Sequence, residues 1–404
     1  MHKETRNRII LVLASVALSV FCLEALFRVY LSLNFSSLVR DNKTVRVHSA
    51  SFWEYDREFG YSYPVNGATH MALIRDNEVV LCQPQRSDSL GNPGRTALVE
   101  NPEHTVFVFG DSFTAYPMGE DGDATWPGLL QAALNESGKS VRVVNYSRDG
   151  IGILQMIDLA SATVEEERPD LVILAFITRD LTRARIWRAS RQTGLGDTEA
   201  VTSIDPELSY APRTFGRNSF IDQRADHAWC ERAMAQGRDE PMLKEMLDTY
   251  AAVARSEADR FGGNWPWSLS TSYLYLQLRH GDPFRELRFS SRTMGIDLLD
   301  YGGDPGFMAG IEVLQRSGAD VLLVWLPMHP EAAGGAHVLT EQEQALADSL
   351  LELSGFPLFD LTPAEPLGAD ADPYYLRPAD EHPTLAGYEW FAAELVDEVR
   401  ERLQ

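Results

Sequence analysis

A serine and a histidine whose side chains can act together in catalysis stand far apart in this sequence. Ser112 ends a Gly-Asp-Ser segment that follows the β-branched and aromatic run 105–109, and His382 lies in an Asp-Glu-His-Pro segment that begins at Asp380. A serine hydroxyl becomes a nucleophile when a histidine takes its proton and an acid orients the histidine. Taken alone, Gly-Asp-Ser also fits a strand-to-helix turn in which Ser112 caps the helix, and the histidine segment also fits a turn that leads into a helix.

Ser112 and His382 can act together only if secondary-structure elements bring them to the same edge of a sheet. The sequence alternates between strand-like and helix-like patterns that can do so. Short apolar runs predict strands at 105–109, 141–145, 171–176, 321–325 and 357–360. Apolar residues at helical spacing predict helices at about 125–136, 152–167, 306–317, 340–353 and 384–402. This alternation predicts an α/β fold with a parallel sheet and helices on both faces. Ser112 then stands at the carboxyl end of a strand, where ligand chemistry collects in such folds.

Two segments depart from the alternation. Residues 51–104 are aromatic and interrupted by Gly and Pro, which predicts irregular structure with short strands leading into the main domain. Residues 182–300 are rich in charge, Trp and Tyr. Because loops of this length usually hold their own structure or a function, we predict a largely helical insertion over the mouth of the sheet.

Three sequence blocks near predicted strand ends or on a late loop carry a specific likeness. They are Gly-Asp-Ser-Phe at 110–113, Asn-Tyr-Ser-Arg-Asp-Gly at 145–150 and Asp-Glu-His-Pro at 380–383. In these blocks the chain resembles the membrane-anchored bacterial type of the SGNH, or GDSL, hydrolase superfamily. The resemblance covers the chain apart from about 182–300. The resemblance implies a flavodoxin-like three-layer α/β/α fold, with Ser112 as nucleophile, His382 as general base, Asp380 as its orienting acid and Gly150 as an oxyanion donor.

One block departs from the family pattern. Where the family ends its third strand with an Asn that donates to the oxyanion, the segment Ile-Thr-Arg-Asp at 177–180 puts Arg179. A guanidinium can donate hydrogen bonds and positive charge, but it is longer and rigidly forked. Two interpretations stay open: Arg179 replaces the amide donor, or the site is weakened and the protein only binds ligand. Losing one donor typically costs about 10²–10³ in rate, which impairs catalysis without abolishing it, so the other intact residues favour an active enzyme.

Arg179 also begins a basic cluster in an acidic chain. Its other members are Arg183, Arg185, Arg188 and Arg191. Such arginines commonly pair with neighbouring acids on a helix surface. The alternative is that the cluster steers an anionic substrate, such as a uronate-containing glycan, to the mouth of the site.

The N-terminal residues predict the cellular compartment in which the protein lies. Basic residues precede the apolar run 9–27, which as a helix would rise about 28 Å, close to the hydrocarbon thickness of a bilayer. No convincing cleavage site follows, so we predict a cytoplasmic tip and an uncleaved transmembrane signal anchor in 1–33, and then a stalk at 34–50. The hydrolase domain, 51–404, is predicted to lie in the periplasm or outside the cell.

The composition of the chain limits which classes of partner, cofactor and metal are predicted for it. The 404 residues include 59 acidic and 36 basic residues, a net charge of −23, and such a surface repels phosphate backbones, so no nucleic-acid partner is predicted. No phosphate loop, dinucleotide fingerprint or zinc-ligand spacing is present, so neither a cofactor nor a metal is predicted. Cys22 lies in the apolar run. Cys82 and Cys230 are therefore the one pair open to an exported domain, and whether they are bonded is left open.

These observations predict a membrane-anchored, extracytoplasmic serine esterase or O-acyltransferase. The resemblance implies ester groups, chiefly O-acetyl, on a polysaccharide or another component of the cell envelope as the substrate. One alternative is a non-catalytic glycan-binding or assembly protein on the same fold. Another is a lipid esterase or thioesterase, which an apolar lid formed by 182–300 would favour.

Overall fold

A computed structural model gives the fold of the chain. The residues it describes are 15, 19–26, 44–50, 52, 54–56, 59–94, 99–116, 124–183, 219–247, 301–329, 339–362, 372–376 and 381–404. They fall into two compact units. One comprises Thr44–Glu240 and Gly295–Gln404, and the other Met1–Lys43 and Pro241–Met294.

The unit that contains the N-terminus is described at residues 15, 19–26 and 241–247, which are helical. Within the described part of the chain, every helix is too short or too polar to cross a membrane. Most of the predicted anchor at 9–27 lies outside the described residues. The anchor therefore stays a prediction.

The larger unit is built from short strands and helices. The strands, in chain order, are β1 (Thr44–His48), β2 (Glu54–Asp56), β3 (Gly60–Ser62), β4 (Ala68–Arg75), β5 (Glu78–Arg86), β6 (His104–Gly110), β7 (Val141–Asn145), β8 (Leu171–Phe176), β9 (Ser219–Ile221), β10 (Asp320–Trp325) and β11 (Leu358–Asp360). The helices are α1 (Ser112–Ala115), α2 (Trp126–Glu136), α3 (Ile153–Glu166), α4 (His227–Gln236), α5 (Pro305–Arg316), α6 (Glu341–Ser354) and α7 (Leu385–Arg402). Short 3-10 turns lie at Thr178–Thr182, Gly237–Asp239 and Asp372–Tyr374.

The main sheet has five parallel strands in the order β11-β10-β8-β6-β7. Numbered along the chain, this is the 2-1-3-4-5 order of flavodoxin-like sheets, so the predicted α/β fold with a parallel sheet is confirmed. Each predicted strand and helix agrees with an observed element to within about two residues. The strand order reverses between β6 and β8, and this switch point is where such sheets bind ligands.

Alternating side chains on the strands form a core on each face of the main sheet. On β6, Phe107 and Phe109 pack on one face, and Val106 and Val108 pack on the other. Helices α3, α5 and α6 cover the first face, and α2 and α7 cover the second. The predicted apolar stripe of α7 is buried, with Tyr388 among its members. Burying one such large side chain is worth about 1.5–3 kcal/mol, which holds α7, and the loop before it, against the sheet.

Side-chain caps explain why the helices begin where the sequence predicts. Thr125, Asp304, Thr340 and Thr384 each accept a backbone N–H in the first turn of the helix that follows. Each such cap is typically worth about 1 kcal/mol. Helix α6 ends at Gly355, whose φ of +64° is the left-handed conformation in which helices commonly terminate.

A second sheet, in the order β5-β4-β1-β9, is built mainly from the N-terminal segment. Its β4–β5 hairpin turns through Asp76 and Asn77, both at positive φ, which their short polar side chains tolerate. The two strands have 8 and 9 residues, longer than the short strands predicted for 51–104. Pro64, Gly67, Gly91 and Pro93 lie before and after the hairpin, whereas Gly60 lies in β3 and Pro84 in β5. Strand β1 lies within the segment predicted as a stalk, 34–50.

A disulfide ties helix α4 to this second sheet. It joins Cys82 on β5 to Cys230 on α4, with 5.9 Å between the two Cα atoms, which answers the question that the sequence left open. Both α4 and β9 belong to the predicted insertion at 182–300, of which 182–183 and 219–247 are described. That described part contains one short strand besides its helices. The described part of the insertion is therefore mostly helical and includes one short strand.

Candidate active site

The segment that contains Ser112, the predicted nucleophile, is a capped turn at the end of β6. Ser112 is the first residue of α1, and Asp111 is its N-cap, because the Asp111 carboxylate accepts the backbone N–H of Phe113 at 2.7 Å. The interpretation in which Ser112 itself caps the helix is therefore wrong. Asp111 is fully buried whereas Ser112 is half-buried. Capping by the aspartate leaves the serine hydroxyl available for another partner.

Gly110 permits this turn because no side chain fits at its position. A Cβ there would lie 2.3 Å from Thr114 Oγ1 and 2.9 Å from the carbonyl oxygen of Ala175 on β8. Both distances are shorter than real carbon–oxygen contacts. The glycine thus lets α1 fold back tightly against β6 at the switch point of the sheet.

The structure brings Ser112 and His382 together. Their Oγ and Nε2 atoms are 2.8 Å apart, so the serine hydroxyl can donate to the imidazole when Nε2 carries no proton. The imidazole also lies against the ring of Phe113, with 5.1 Å between ring centroids. The His382 carbonyl accepts the backbone N–H of Leu376 at 3.0 Å, which anchors the loop. Asp380 lies outside the described residues, so its role stays a prediction.

The second sequence block forms a loop that is bonded to the nucleophile turn. Asn145, buried at the end of β7, donates from its side-chain amide to the Thr114 carbonyl at 3.2 Å and accepts the N–H of Ser147 at 3.1 Å. The N–H of Arg148 donates to the Gly110 carbonyl at 2.9 Å. Gly150 follows with a φ of +71°, the left-handed region that favours glycine. Asn145 thus explains why this block begins with an amide side chain.

Arg179 is paired with the residue that precedes the histidine. Its Nη2 lies 2.6 Å from Glu381 Oε2, and the two side chains are 40% and 34% exposed. Among the described residues, its other N–H groups make no hydrogen bond. Because Glu381 directly precedes His382, this pair is adjacent in the chain to the residue that contacts Ser112.

Arg183 is paired with the residue that precedes the serine. Its Nη1 lies 2.8 Å from Asp111 Oδ2 and 3.1 Å from the carbonyl oxygen of Ile151, and it also contacts the Asp180 carboxylate. Asp180 in turn accepts the N–H of Ile177 at 3.0 Å. Within the predicted basic cluster, Arg179 and Arg183 therefore pair with acids. The other three arginines, Arg185, Arg188 and Arg191, lie outside the described residues.

Burial shifts the protonation of several groups around the pair. It raises the pKa of Asp180 well above its usual value, the Arg183 charge opposes that rise, and the Asp111 carboxylate adds to it. Burial also raises the pKa of Asp149, with opposing contributions from His382 and Arg46. Asp180 is fully buried, and charge interactions at such a position are stronger than in water.

Tyr388 on α7 supports the serine from the other side. Its hydroxyl donates to the Ser112 carbonyl at 3.4 Å. Burial, with the charges of Asp111 and Asp149, raises the pKa of Tyr388, so it stays a neutral phenol donor. The long hydrogen bond is weak, but it connects α7 to the nucleophile turn.

The sequence did not assign these supporting residues. Arg183 was grouped with a surface cluster, and Glu381 and Tyr388 were given no role. One signal pointed toward Arg183: a buried aspartate next to the serine requires a cation or several donors, because buried charges are almost always paired. The sequence does not say which of the nearby arginines is that partner.

The chain matches one known protein family. Residues 106–255 match the family model described as GDSL-like Lipase/Acylhydrolase. The match includes Ser112, Gly150 and Arg179, and His382 lies beyond it. No curated protein matches the sequence.

Solved structures of several hydrolases are similar to this chain at low identity. The lipase/acylhydrolase from Enterococcus faecalis is 13% identical with a TM-score of 0.37, over 74% of this chain and 97% of that one. TesA is 16% identical with a TM-score of 0.32, over 74% and 98%. A variant of the acetyl-xylooligosaccharide esterase Axe2 from Geobacillus Stearmophilus is 11% identical with a TM-score of 0.29, over 75% and 96%.

Proposed function

We propose that this chain, whose residues 106–255 belong to the GDSL-like lipase/acylhydrolase family, is a serine esterase in which Ser112 is the nucleophile and His382 the general base. The observation that carries these roles is the 2.8 Å contact between Ser112 Oγ and His382 Nε2. Distances of about 2.6–3.2 Å between a nucleophile and its base are those of working serine hydrolases.

The proposed reaction has two halves. Ser112 Oγ bonds to the ester carbonyl carbon while its proton moves to His382 Nε2, and the carbonyl oxygen becomes an oxyanion. Collapse of this intermediate breaks the bond to the alcohol, which leaves with the proton from His382. The acyl group on Ser112 is then released when an acceptor attacks it and gives its own proton to His382, which returns that proton to Ser112 Oγ as the bond between Oγ and the acyl carbon breaks. Water as the acceptor makes the protein an esterase, and a sugar hydroxyl makes it an acyltransferase.

The oxyanion must meet donors that are already in place. We assign this role to the backbone N–H groups of Ser112 and Gly150, with Arg179 as an additional donor. The tight turn at Gly110 and the positive φ of Gly150 support the backbone assignment, because both hold a short loop in a fixed conformation. Asp380 is proposed to orient the imidazole from two residues away along the chain.

The proposed substrate is an ester, chiefly O-acetyl, group on a polysaccharide or another carbohydrate of the cell envelope. The proposed location is the periplasm or the cell exterior, with the chain held to the membrane by residues 9–27. Two features support the location: the apolar run itself and the disulfide between Cys82 and Cys230, which persists in oxidising compartments. The carbohydrate substrate rests on the resemblance to anchored relatives.

A fluorophosphonate probe tests the nucleophile directly, because it bonds only to an activated serine. We expect the folded full-length chain to be labelled, Ser112→Ala not to be labelled, and Ser137→Ala, which removes an exposed serine, to be labelled like the wild type. Absence of wild-type labelling would remove the proposed function and favour a binding protein. Labelling that persists in Ser112→Ala would move the nucleophile elsewhere.

Acyl and acceptor preference are tested with matched esters. We expect acetyl esters of a sugar to be turned over faster than the octanoyl esters of the same sugar. Faster turnover of the longer chain would instead indicate a lipid esterase or thioesterase. Formation of a new sugar ester when a free glycan is added would identify transfer rather than hydrolysis.

A further inference from the structure

Arg183 stands beneath the proposed nucleophile, where it contacts three separate parts of the site. Its Nη1 reaches Asp111 in the serine turn, the carbonyl of Ile151 after the oxyanion glycine, and Asp180 after β8. One guanidinium nitrogen carries two hydrogens, so these three acceptors share them. The Arg183 side chain is 21% exposed, and the Asp111 and Asp180 side chains are 1% and 0% exposed. The cluster is thus largely sealed from water.

The Asp111 carboxylate is a competitor for the serine proton. Its Oδ2 lies 3.5 Å from Ser112 Oγ, and the same Oγ lies 2.8 Å from His382 Nε2. A serine has one hydroxyl hydrogen, so a hydrogen bond to Asp111 removes the one to His382. An ionised carboxylate is also the stronger acceptor in a dry site. Without a partner for Oδ2, the nucleophile would turn away from its base.

Arg183 donates a hydrogen bond to this Asp111 oxygen, Oδ2. The 2.8 Å contact between Nη1 and Oδ2 is a charge-assisted hydrogen bond of ordinary length, and it is shorter than the 3.5 Å contact of the serine. The positive charge also offsets the carboxylate next to the atoms where an oxyanion must develop. The charges of two carboxyl groups and one guanidinium balance when one carboxyl group is protonated, and the neighbouring Asp111 carboxylate is one of the causes that raise the pKa of Asp180.

Arg183 also fixes the loop that carries Gly150. The backbone of this loop lies directly against Arg183 at Gly152. A Cβ on Gly152 would lie 2.5 Å from the Arg183 Cβ and 2.8 Å from the Asp180 carbonyl oxygen. This close approach brings the Ile151 carbonyl to the same nitrogen that holds Asp111. The relative positions of the nucleophile turn and the oxyanion loop therefore depend on one side chain.

We propose that Arg183 is a positioning residue of the hydrolase, which ties up the Asp111 carboxylate so that the Ser112 hydroxyl is directed to His382, and which holds the Gly150 loop beside the nucleophile. The inference rests on the proposed function, because it assigns a role in the same reaction. It makes Arg183 an internal support and leaves it no part in steering an anionic substrate.

The test compares Arg183→Met, which keeps an unbranched apolar stem and removes the charge, with Arg183→Lys, which keeps the charge and removes the fork. On p-nitrophenyl acetate, we expect Arg183→Met to lower kcat about 10–100-fold with KM changed less than about threefold, because a small misplacement of a nucleophile has effects of this size. Arg183→Lys should recover part of the loss. The acid limb of kcat/KM should move to higher pH in Arg183→Met, since the unpaired carboxylate stabilises the protonated imidazole nearby.

Arg402 is the matched control. It too is 21% exposed and binds two carboxylates, Asp320 and Glu398, each at 2.7 Å, but it lies at the far end of α7. We expect Arg402→Met to leave kcat and the pH profile within about twofold of the wild type. If Arg183→Met does not fold, the pH profile and kcat of Arg183→Lys decide instead, with kcat expected to fall at least about threefold.

The outcomes separate this inference from the proposed function. Wild-type labelling by the fluorophosphonate with unchanged kcat in both Arg183 variants would overturn the positioning role and keep the esterase. Equal losses in Arg183→Met and Arg402→Met, with no change of the pH profile, would show a general structural role and also overturn it. No labelling of the wild type would remove the proposed function itself.

Discussion

Two arginines four residues apart make ion pairs of the same kind but in opposite surroundings. Arg183 binds Asp111, the residue before the serine, and Arg179 binds Glu381, the residue before the histidine. The first pair has a fully buried carboxylate, whereas both members of the second are more than a third exposed. Each of the two residues that we propose as catalytic, Ser112 and His382, thus has a neighbour in the chain that forms an ion pair with the segment after β8.

Burial decides what each pair contributes. Breaking a buried pair leaves a charge without water or partner, which is strongly destabilising, while an exposed pair is screened and is worth about 0–1 kcal/mol. The buried pair is therefore expected to determine geometry and stability. The exposed pair can open and close at little cost, which suits a position at the mouth of the site.

The largest expected difference between the two comes from removing the acids. Asp111→Ala removes a charged hydrogen bond and a helix cap, so the free energy of unfolding should fall by about 3 kcal/mol. Its kcat should fall at least tenfold, as the serine turn loosens. Glu381→Ala should lose less than about 1 kcal/mol. Urea denaturation and ester turnover measure both, and equal losses in the two variants would show that burial does not separate the pairs.

The buried cluster should also make the stability of the protein depend on pH. Burial raises the pKa of Asp180 well above its ordinary 3.8. At a pH between the ordinary pKa of the unfolded chain and the raised pKa of the folded protein, Asp180 keeps its proton in the folded state and has lost it in the unfolded state. Stability must then fall as the pH rises through this window, and the loss is complete above the folded value.

Asp180→Asn removes this titrating group. We expect the urea midpoint of the wild type to decline as the pH rises from about 4, and that of Asp180→Asn to lack this decline, whatever its absolute stability. Asp397→Asn, an exposed acid paired with Arg400, serves as the control and should keep the wild-type slope. An unchanged slope in Asp180→Asn would mean that Asp180 does not hold the proton.

The smallest effect should come from the exposed pair. In a double-mutant cycle of Arg179→Met and Glu381→Gln, we expect a coupling of less than about 1 kcal/mol in stability, and raising the salt to about 1 M should reduce it further, because the Debye length is then about 3 Å. If Arg179 also donates to the oxyanion, Arg179→Met alone should lower kcat about 10²-fold. An unchanged kcat would restrict Arg179 to the ion pair.

Much of the fold and the central contact were predictable because they depend on local patterns. The apolar runs of β6 and β8 predict buried strands, and the Gly-Asp-Ser and Asp-Glu-His segments predicted that Ser112 meets His382, as the 2.8 Å contact shows. The second sheet was harder to predict, because β1 pairs with β4 on one side and on the other with β9, which lies far along the chain. Cross-strand register leaves no single local signal.

The sequence by itself determined the layered α/β fold, the helix starts and the identity of the serine and histidine, because periodicity, capping and turn chemistry act over a few residues. Only the tertiary structure decided which arginine serves which acid. Arg179 and Arg183 are alike in type and lie one turn apart, so their different roles follow from the depth at which the chain places them. The same holds for Cys82 and Cys230, whose bond depends on distance in space rather than on spacing in the chain.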